Sequence, residues 1–239
     1  MAGAGTYFEV PPRASIANPK DTYLLGTIGP SYSAVEQTAQ WMWAHPGGDW
    51  INQSGTAQGT SSPHFTFTAN SVTSVSASYS TSITAGATAA FARGKWNAYI
   101  VVVTGSGRAL ATQRHATLAA PRVQVTYTDS TTATLACLAC VQLQSGTSYT
   151  QIGDIEAPIS PSVALEFQMP TKAVASATLT LAVTQHTSGS ATISGYLANP
   201  PVNTAGVTAG VAAAYPADAG LKNHASILFA QRYEDGTTL

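Results

Sequence analysis

Three β-strands in almost unbroken alternation follow one another between residues 163 and 197, and they constrain the fold more than any other feature. One face of the first strand is entirely apolar and contains Val163, Leu165, Phe167 and Met169. The second strand repeats the pattern, with threonines outward and an inward face of Ala177, Leu179, Leu181 and Val183. These strands are predicted to be half-buried and to present a hydroxyl-rich outer surface. Because neither face carries a titratable cluster, the pattern favours adhesion or assembly over chemistry.

Composition narrows the classes of function. Charged residues make up only 9% of the 239 residues, and the formal net charge is -1. The missing polarity is supplied by Ser, Thr, Gln and Asn, which suit sugars and protein interfaces. Scattered Lys and Arg offer no basic stripe to neutralise phosphates, so nucleic-acid binding is not expected. A hydrophobic share of 44% argues against disorder.

The N-terminal residues lack the features of an export signal. No basic segment followed by an apolar run is present, so residues 1–12 do not read as a secretory signal peptide. No stretch approaches the roughly 20 apolar residues that span a bilayer, and no membrane span is expected. We expect a virion component that is made in the host cytoplasm. The alternative is an extracellular protein that has lost its export signal.

The two cysteines form a C-x-x-C sequence, Cys137 and Cys140. Zinc needs four ligands, and no second pair or nearby His supplies the other two, so no metal or other cofactor is expected. On an extended strand, residues three apart lie roughly 10 Å from one another on opposite faces, which is beyond disulfide reach. Both are predicted to be buried small hydrophobic residues.

The domain organisation predicted from the strand pattern is all-β, with tandem antiparallel β-sandwiches of the jelly-roll kind and loop-rich terminal arms. Turn signals dominate residues 1–60, where the segment from Ser33 to Ala44 is the one candidate helix because Ser33 and Glu36 form a capping box. A boundary near residues 128–132 divides the two sandwiches. The predicted units are a loop-rich region 1–60, a first sandwich 61–128, a second sandwich 129–202, and an extended C-terminal arm 203–239 with one strand at residues 225–231.

Aromatic residues supply the candidate binding site. Large rings can stack on sugars or anchor a partner, although filling a loop-covered core is the commoner role. The candidate glycan-binding residues are Trp41, Trp43, Trp50, Trp96 and Tyr99.

Three segments resemble the carbohydrate-binding-like jelly-roll modules of bacterial and phage polysaccharide-degrading or adhesion proteins. The first is A-L-A-T-Q-R-H-A-T-L-A-A-P-R-V-Q-V-T-Y-T-D at residues 109–129, which is similar to the closing strands of such a module. The second is V-A-L-E-F-Q-M-P with the S-A-T-L-T-L that follows, which is similar to the first half of such a module. The third, residues 213–236, is similar to the segment that leads into a lyase-like or lectin-like sandwich in the same multidomain proteins. The resemblance implies a β-sandwich that binds carbohydrate. The strand Asp of those modules is Gln168 here, which removes a possible cation ligand.

No catalytic residues are assigned. Glu166 with Asp154 or Glu156 has the residue types of a glycosidase pair, but alternation places Glu166 on an outward face, where a solvated carboxylate is expected. The protein is therefore interpreted as a non-catalytic structural or adhesion protein of a virion. Its expected partners are copies of itself, other virion proteins and surface polysaccharide. The alternative is a carbohydrate-binding module that forms the front of a protein similar to polysaccharide lyases.

Overall fold

The computed structural model describes residues 34–36, 41–70, 76–94, 96–112, 115, 117–143, 156–159, 161–185 and 189–199. Most of these residues belong to an antiparallel sheet of 11 strands, and a separate two-stranded sheet lies near residue 40. The predicted C-terminal arm and its strand at residues 225–231 fall outside the described residues.

Thirteen strands and one helix make up the described chain. The strands are β1 (Ala34–Glu36), β2 (Trp41–Met42), β3 (Trp50–Ile51), β4 (Phe65–Ala69), β5 (Ser76–Ser82), β6 (Asn97–Gly105), β7 (Arg108–Ala111), β8 (Arg122–Tyr127), β9 (Thr132–Leu143), β10 (Glu156–Pro158), β11 (Ser162–Phe167), β12 (Val174–Gln185) and β13 (Ala191–Ala198). The helix, α1, spans Thr84–Arg93 between β5 and β6.

The alternation in the sequence predicted the inner faces of β11 and β12 correctly. Their apolar residues lie in one hydrophobic core with side chains from the other long strands. The core residues of these two strands are Val163, Leu165, Phe167, Ala177, Leu179, Leu181 and Val183. Burying each large side chain contributes about 1.5–3 kcal/mol. The mainly β character of the fold is thus confirmed.

The large sheet follows the order β10, β7, β12, β8, β9, β11, β6, β13, β3, with β5 on the other edge of β12 and β4 beside β3 on β13. All its pairings are antiparallel. Many join strands far apart in the sequence, such as β4 with β13 and β5 with β12.

β5 lies on the outer edge of β12 and β4 on the outer edge of β13, so these two strands form opposite ends of the sheet. The sheet curls, and the two ends come together. The rings of Phe67 and Tyr79 stack with centroids 5.1 Å apart. The Thr81 hydroxyl donates to the Thr66 carbonyl oxygen at 3.1 Å. Side chains rather than a backbone ladder therefore join the two ends around the core.

Helix α1 lies across one end of this core. Its buried residues Gly86, Ala87 and Ala90 are small, so its backbone approaches the sheet closely. The helix is anchored at its start by Thr84, whose hydroxyl oxygen accepts from the Ala177 N–H at 2.9 Å. It ends at Gly94, where a left-handed conformation lets the N–H reach the carbonyl oxygens of the last turn.

Two predictions about organisation differ from the structure. The capping box predicted a helix from Ser33 to Ala44, but that region contributes the short strands β1 and β2, which pair with each other. A capping signal specifies only a helix start, and a short isolated helix is marginal unless tertiary packing stabilises it. The only helix among the described residues is α1.

The boundary predicted at residues 128–132 is a hairpin turn between β8 and β9. Ser130 has φ 64°, and the Tyr127 N–H donates to the Thr131 carbonyl oxygen at 2.8 Å. Strands from residues 61–128 pair throughout with strands from residues 129–202. The described structure therefore does not separate the two ranges into two sandwiches.

A β-bulge changes the positions of the two cysteines. Along β9, Cys140 pairs with Leu165 and Cys137 pairs with Phe167, so the ladder skips Leu138. The extra residue reverses the alternation, and both cysteines pack against the core instead of facing opposite ways. Neither cysteine forms a disulfide, and burial raises the pKa of Cys140 to about 12. The prediction of buried small hydrophobic residues is confirmed for Cys140, while Cys137 is half-buried.

Candidate functional site: a braced pair of tryptophans

Two of the predicted aromatic residues lie at the same end of β13, where each is next to Ala198. Trp50 in β3 lies opposite Ala198 in the ladder. Trp96 directly precedes β6, and its indole N–H donates to the Ala198 carbonyl oxygen at 3.1 Å. Both rings are half-buried. The two residues are far apart in sequence, and the pairing of β13 with both β3 and β6 brings them to one strand end.

Trp50 is fixed by neighbours on two sides. Its ring stacks on Tyr196, with centroids 5.7 Å apart and planes 29° from parallel. Its indole N–H donates to the Gly59 carbonyl oxygen at 3.3 Å. Tyr196 is held in turn, because its hydroxyl donates to the Thr60 carbonyl oxygen at 2.8 Å. The Trp50 ring is thus held in place, and its only polar atom, Nε1, already makes a hydrogen bond.

Trp96 is fixed by Arg93, the last residue of α1. The guanidinium carbon lies 5.0 Å from the centroid of the indole ring, which is a cation–π distance. Arg93 also donates through Nη1 to the Ala198 carbonyl oxygen and through Nη2 to that of Trp96, both at 3.0 Å. Burial lowers the pKa of Arg93 to about 10, and the neighbouring Tyr99 opposes that shift. Arg93 therefore keeps its charge at neutral pH.

The other three candidates do not share this position. The structure does not describe the side chain of Trp41. Trp43 is buried at 6% exposure. Tyr99 lies wholly in the core, where its hydroxyl donates to Asn97 Oδ1 at 2.8 Å and burial raises its pKa. Its ring has no exposed face in this structure.

Sequence reasoning did not identify Arg93 and Tyr196 as parts of this site. Arg93 belongs to α1, which was not predicted, and Tyr196 lies in a strand whose partner β3 is only two residues long. An arginine close before a tryptophan is a weak signal by itself. The contacts depend on the pairing of β13 with β3 and on the direction of α1.

A polar turn lies beside this region and packs on the outer face of the sheet. The Asp49 carboxylate accepts from the N–H groups of Ala44 and His45 at 2.6 and 3.0 Å, and from His45 Nδ1 at 2.5 Å. The turn places Gly48 so close to Ile100 that an added Cβ would lie 2.7 Å from its side chain. These contacts indicate that the turn has a structural role and covers Ile100.

The predicted exposure of Glu166 is wrong. Alternation predicted a solvated carboxylate, but the residue is completely buried. Its side chain lies on the face of β11 opposite the core. All six residues of β11 are buried, so both faces of the strand are covered. Its register neighbours Ala98 and Ala139 are also at 0% exposure. Alternation distinguishes two faces, but it does not reveal that the second face is also covered.

Neither a metal-binding cluster nor a membrane-spanning helix is present in the described part of the chain. No three His, Cys, Asp or Glu side chains there are grouped as metal ligands. None of its helices combines the length and apolarity needed to cross a bilayer. No protein-family model matches the chain, and neither the curated proteins nor the solved structures include a significant match.

Proposed function

We propose that this chain is a non-catalytic structural or adhesion protein of a virion, such as a phage capsid, tail or fibre component, that acts through its surfaces. The observation that carries the proposal is the outer face of β9, β8, β12 and β5. One row across these four strands consists of Thr134, Gln124, Thr178 and Ser82, which lie opposite one another in the ladders. All four are exposed.

The adjoining positions have the same character. The next row contains Ala136, Arg122, Thr180 and Ser80, and the Ser80 and Thr180 hydroxyls lie 3.2 Å apart. Adjacent strands are about 4.8 Å apart, so the rows form a closely spaced array in which six of the eight side chains are Ser, Thr or Ala. Arg122 is the only charged residue in the two rows.

Short neutral side chains suit a surface that becomes covered. Ordering Ser or Thr costs less side-chain entropy than ordering Lys, Arg, Glu or Gln, and no ionic charge must be dehydrated. Hydroxyl groups both donate and accept hydrogen bonds, so another protein or a glycan can satisfy them. A chain with 9% charged residues therefore favours an assembled or bound state over a freely dispersed one.

The predicted arms supply the second part of the proposal. We propose that residues 225–231, in the predicted arm 203–239, contact a neighbouring subunit by adding a strand to its sheet. Size-exclusion chromatography with light scattering should show an oligomer for the full chain. Deletion of residues 203–239 should abolish assembly and leave the sheet folded. A full-length chain that is a compact monomer with protected termini, or a truncated chain that unfolds on mild heating, contradicts the proposal.

A carbohydrate-binding module is the alternative, and the braced tryptophan pair favours it. Trp50 and Trp96 are held rigidly and partly exposed, and each indole N–H already has a partner. Rigid aromatic faces bind the apolar faces of sugar rings with little loss of side-chain freedom.

Glycan-array binding tests this alternative. The Trp50→Ala and Trp96→Ala variants should each lose binding, whereas Thr192→Ala, in β13 outside the hydroxyl rows, should bind as the unmodified chain does. Thermal unfolding of each variant separates loss of binding from loss of folding. If the unmodified chain binds no neutral or acidic polysaccharide, the alternative is removed and the structural proposal is unaffected.

A further inference from the structure

The outer face of α1 carries no charge. Its exposed residues are Ala85, Thr88, Phe91 and Ala92. In the described part of the chain, Phe91 is the one large hydrophobic side chain that is exposed to solvent, with 37% of its surface accessible. A surface helix ordinarily places charged residues on its solvent side. Here the only charged residue of the helix, Arg93, turns inward to the Ala198 carbonyl oxygen.

The chain leaves the described body beside this helix. The final described residue is Asn199, which directly follows Ala198. The Ala198 carbonyl oxygen accepts hydrogen bonds from both Arg93 and Trp96. Residues 200–239 therefore start from the C-terminal end of α1, and Phe91 lies in the last turn of that helix.

The sequence that follows matches the helix face in chemistry. Residues 199–217 contain no charged residue, and residues 202–215 consist of Val, Ala, Gly, Thr, Asn and one Tyr. Prolines at positions 200 and 201 favour an extended start. We propose that residues 202–215 dock on the outer face of α1 in the same subunit and cover Phe91. Tethering beside the face gives the segment a local concentration in the millimolar range, which favours its own subunit over a second copy.

Thiol labelling of the full-length chain tests the proposal. A Cys137→Ala background leaves only the buried Cys140, whose pKa is raised by burial. Single Phe91→Cys and Thr192→Cys variants are then compared, because Thr192 is an exposed position in β13 that belongs to neither hydroxyl row. Each is labelled with a small alkylating reagent at several protein concentrations. The comparison is repeated with Val207→Asp and Val211→Asp, which introduce charge into the docked segment.

The thiol at position 91 should react about tenfold more slowly than the thiol at position 192, as expected for a segment that opens locally at a cost of about 1.4 kcal/mol. The aspartates should raise the rate at position 91 alone, and protein concentration should have no effect. Equal rates at the two positions in the parent would show an open face and overturn the proposal. Protection that persists with the aspartates or fades on dilution would also overturn it, since another segment or a second copy would then cover Phe91. Assembly is measured separately by light scattering, so this proposal can fail without the proposed function.

Discussion

Acidification should destabilise the fold through His64. This residue is buried at 5% exposure, and its Nδ1 accepts a hydrogen bond from the Leu197 N–H at 3.2 Å. Its ring also meets the Tyr99 ring edge-on, with centroids 6.4 Å apart. Protonation would replace the Nδ1 acceptor with a donor that faces another donor. Burial, helped by the charge of Arg93, lowers the pKa of His64 from 6.5 to about 4.

The sign and size follow from proton linkage. The unfolded state binds the proton near pH 6.5, whereas the folded state resists it until about pH 4. The contribution of neutral His64 to the free energy of unfolding is therefore present above pH 6.5 and is lost as pH falls toward 4. Integration of the proton-binding difference with these two pKa values gives a loss of about 2 kcal/mol between pH 7 and pH 5. That is a large fraction of the 5–15 kcal/mol typical of a domain.

Urea unfolding at a series of pH values measures this loss. His64→Asn is the matched control, because Asn Oδ1 can occupy a position similar to Nδ1 and accept from the same N–H without titrating. The unmodified chain should lose about 2 kcal/mol more than His64→Asn between pH 7 and pH 5. Parallel stability curves for the two proteins would refute the assignment of a buried neutral histidine.

Three further predictions concern packing and surface charge. Gly86→Ala should destabilise the fold by about 1–3 kcal/mol despite better helix propensity, because its Cβ would lie 2.6 Å from a buried tyrosine hydroxyl. Thr88→Ala on the exposed side of the helix should slightly stabilise it, and urea midpoints compare the two. Gly195→Ala should lower the melting temperature, since its Cβ would lie 2.0 Å from a buried phenylalanine ring; an unchanged value would show that the ring can move. Lys172→Met should raise the pKa of Asp129, which hydrogen bonds from Lys172 and Thr131 hold below its usual range, and an NMR titration that shows no change would contradict this assignment.

Local sequence patterns determined the inner faces of the strands. Alternation at residues 163–167 and 177–183 identified side chains that lie in the core, because successive side chains of a strand always point to opposite faces. The same alternation predicted the outward hydroxyl groups of Thr178 and Thr180. These properties depend only on neighbouring residues, so the sequence suffices to identify them.

Other local patterns were ambiguous. The segment at residues 84–93 forms α1 because its small residues fit against the sheet, but a short Ala-rich stretch between Ser/Thr-rich segments carries no clear helical period. The bulge at Leu138 reverses the alternation of β9, and nothing in L-A-C-L-A-C marks which residue the ladder will skip. In both cases the partner strands select the conformation.

Only the tertiary structure decided which strands pair and what covers their outer faces. Pairings such as Thr66 with Ser194 join residues 128 positions apart. The alternation of side chains along a strand is the same whichever strand it pairs with. The burial of Glu166 and the placement of Trp50 and Trp96 at one end of β13 follow from those pairings. The sequence therefore determined the two faces of regular strands such as β11 and β12, and long-range packing determined the neighbours, because side-chain alternation carries no information about the strand on the other side of the ladder.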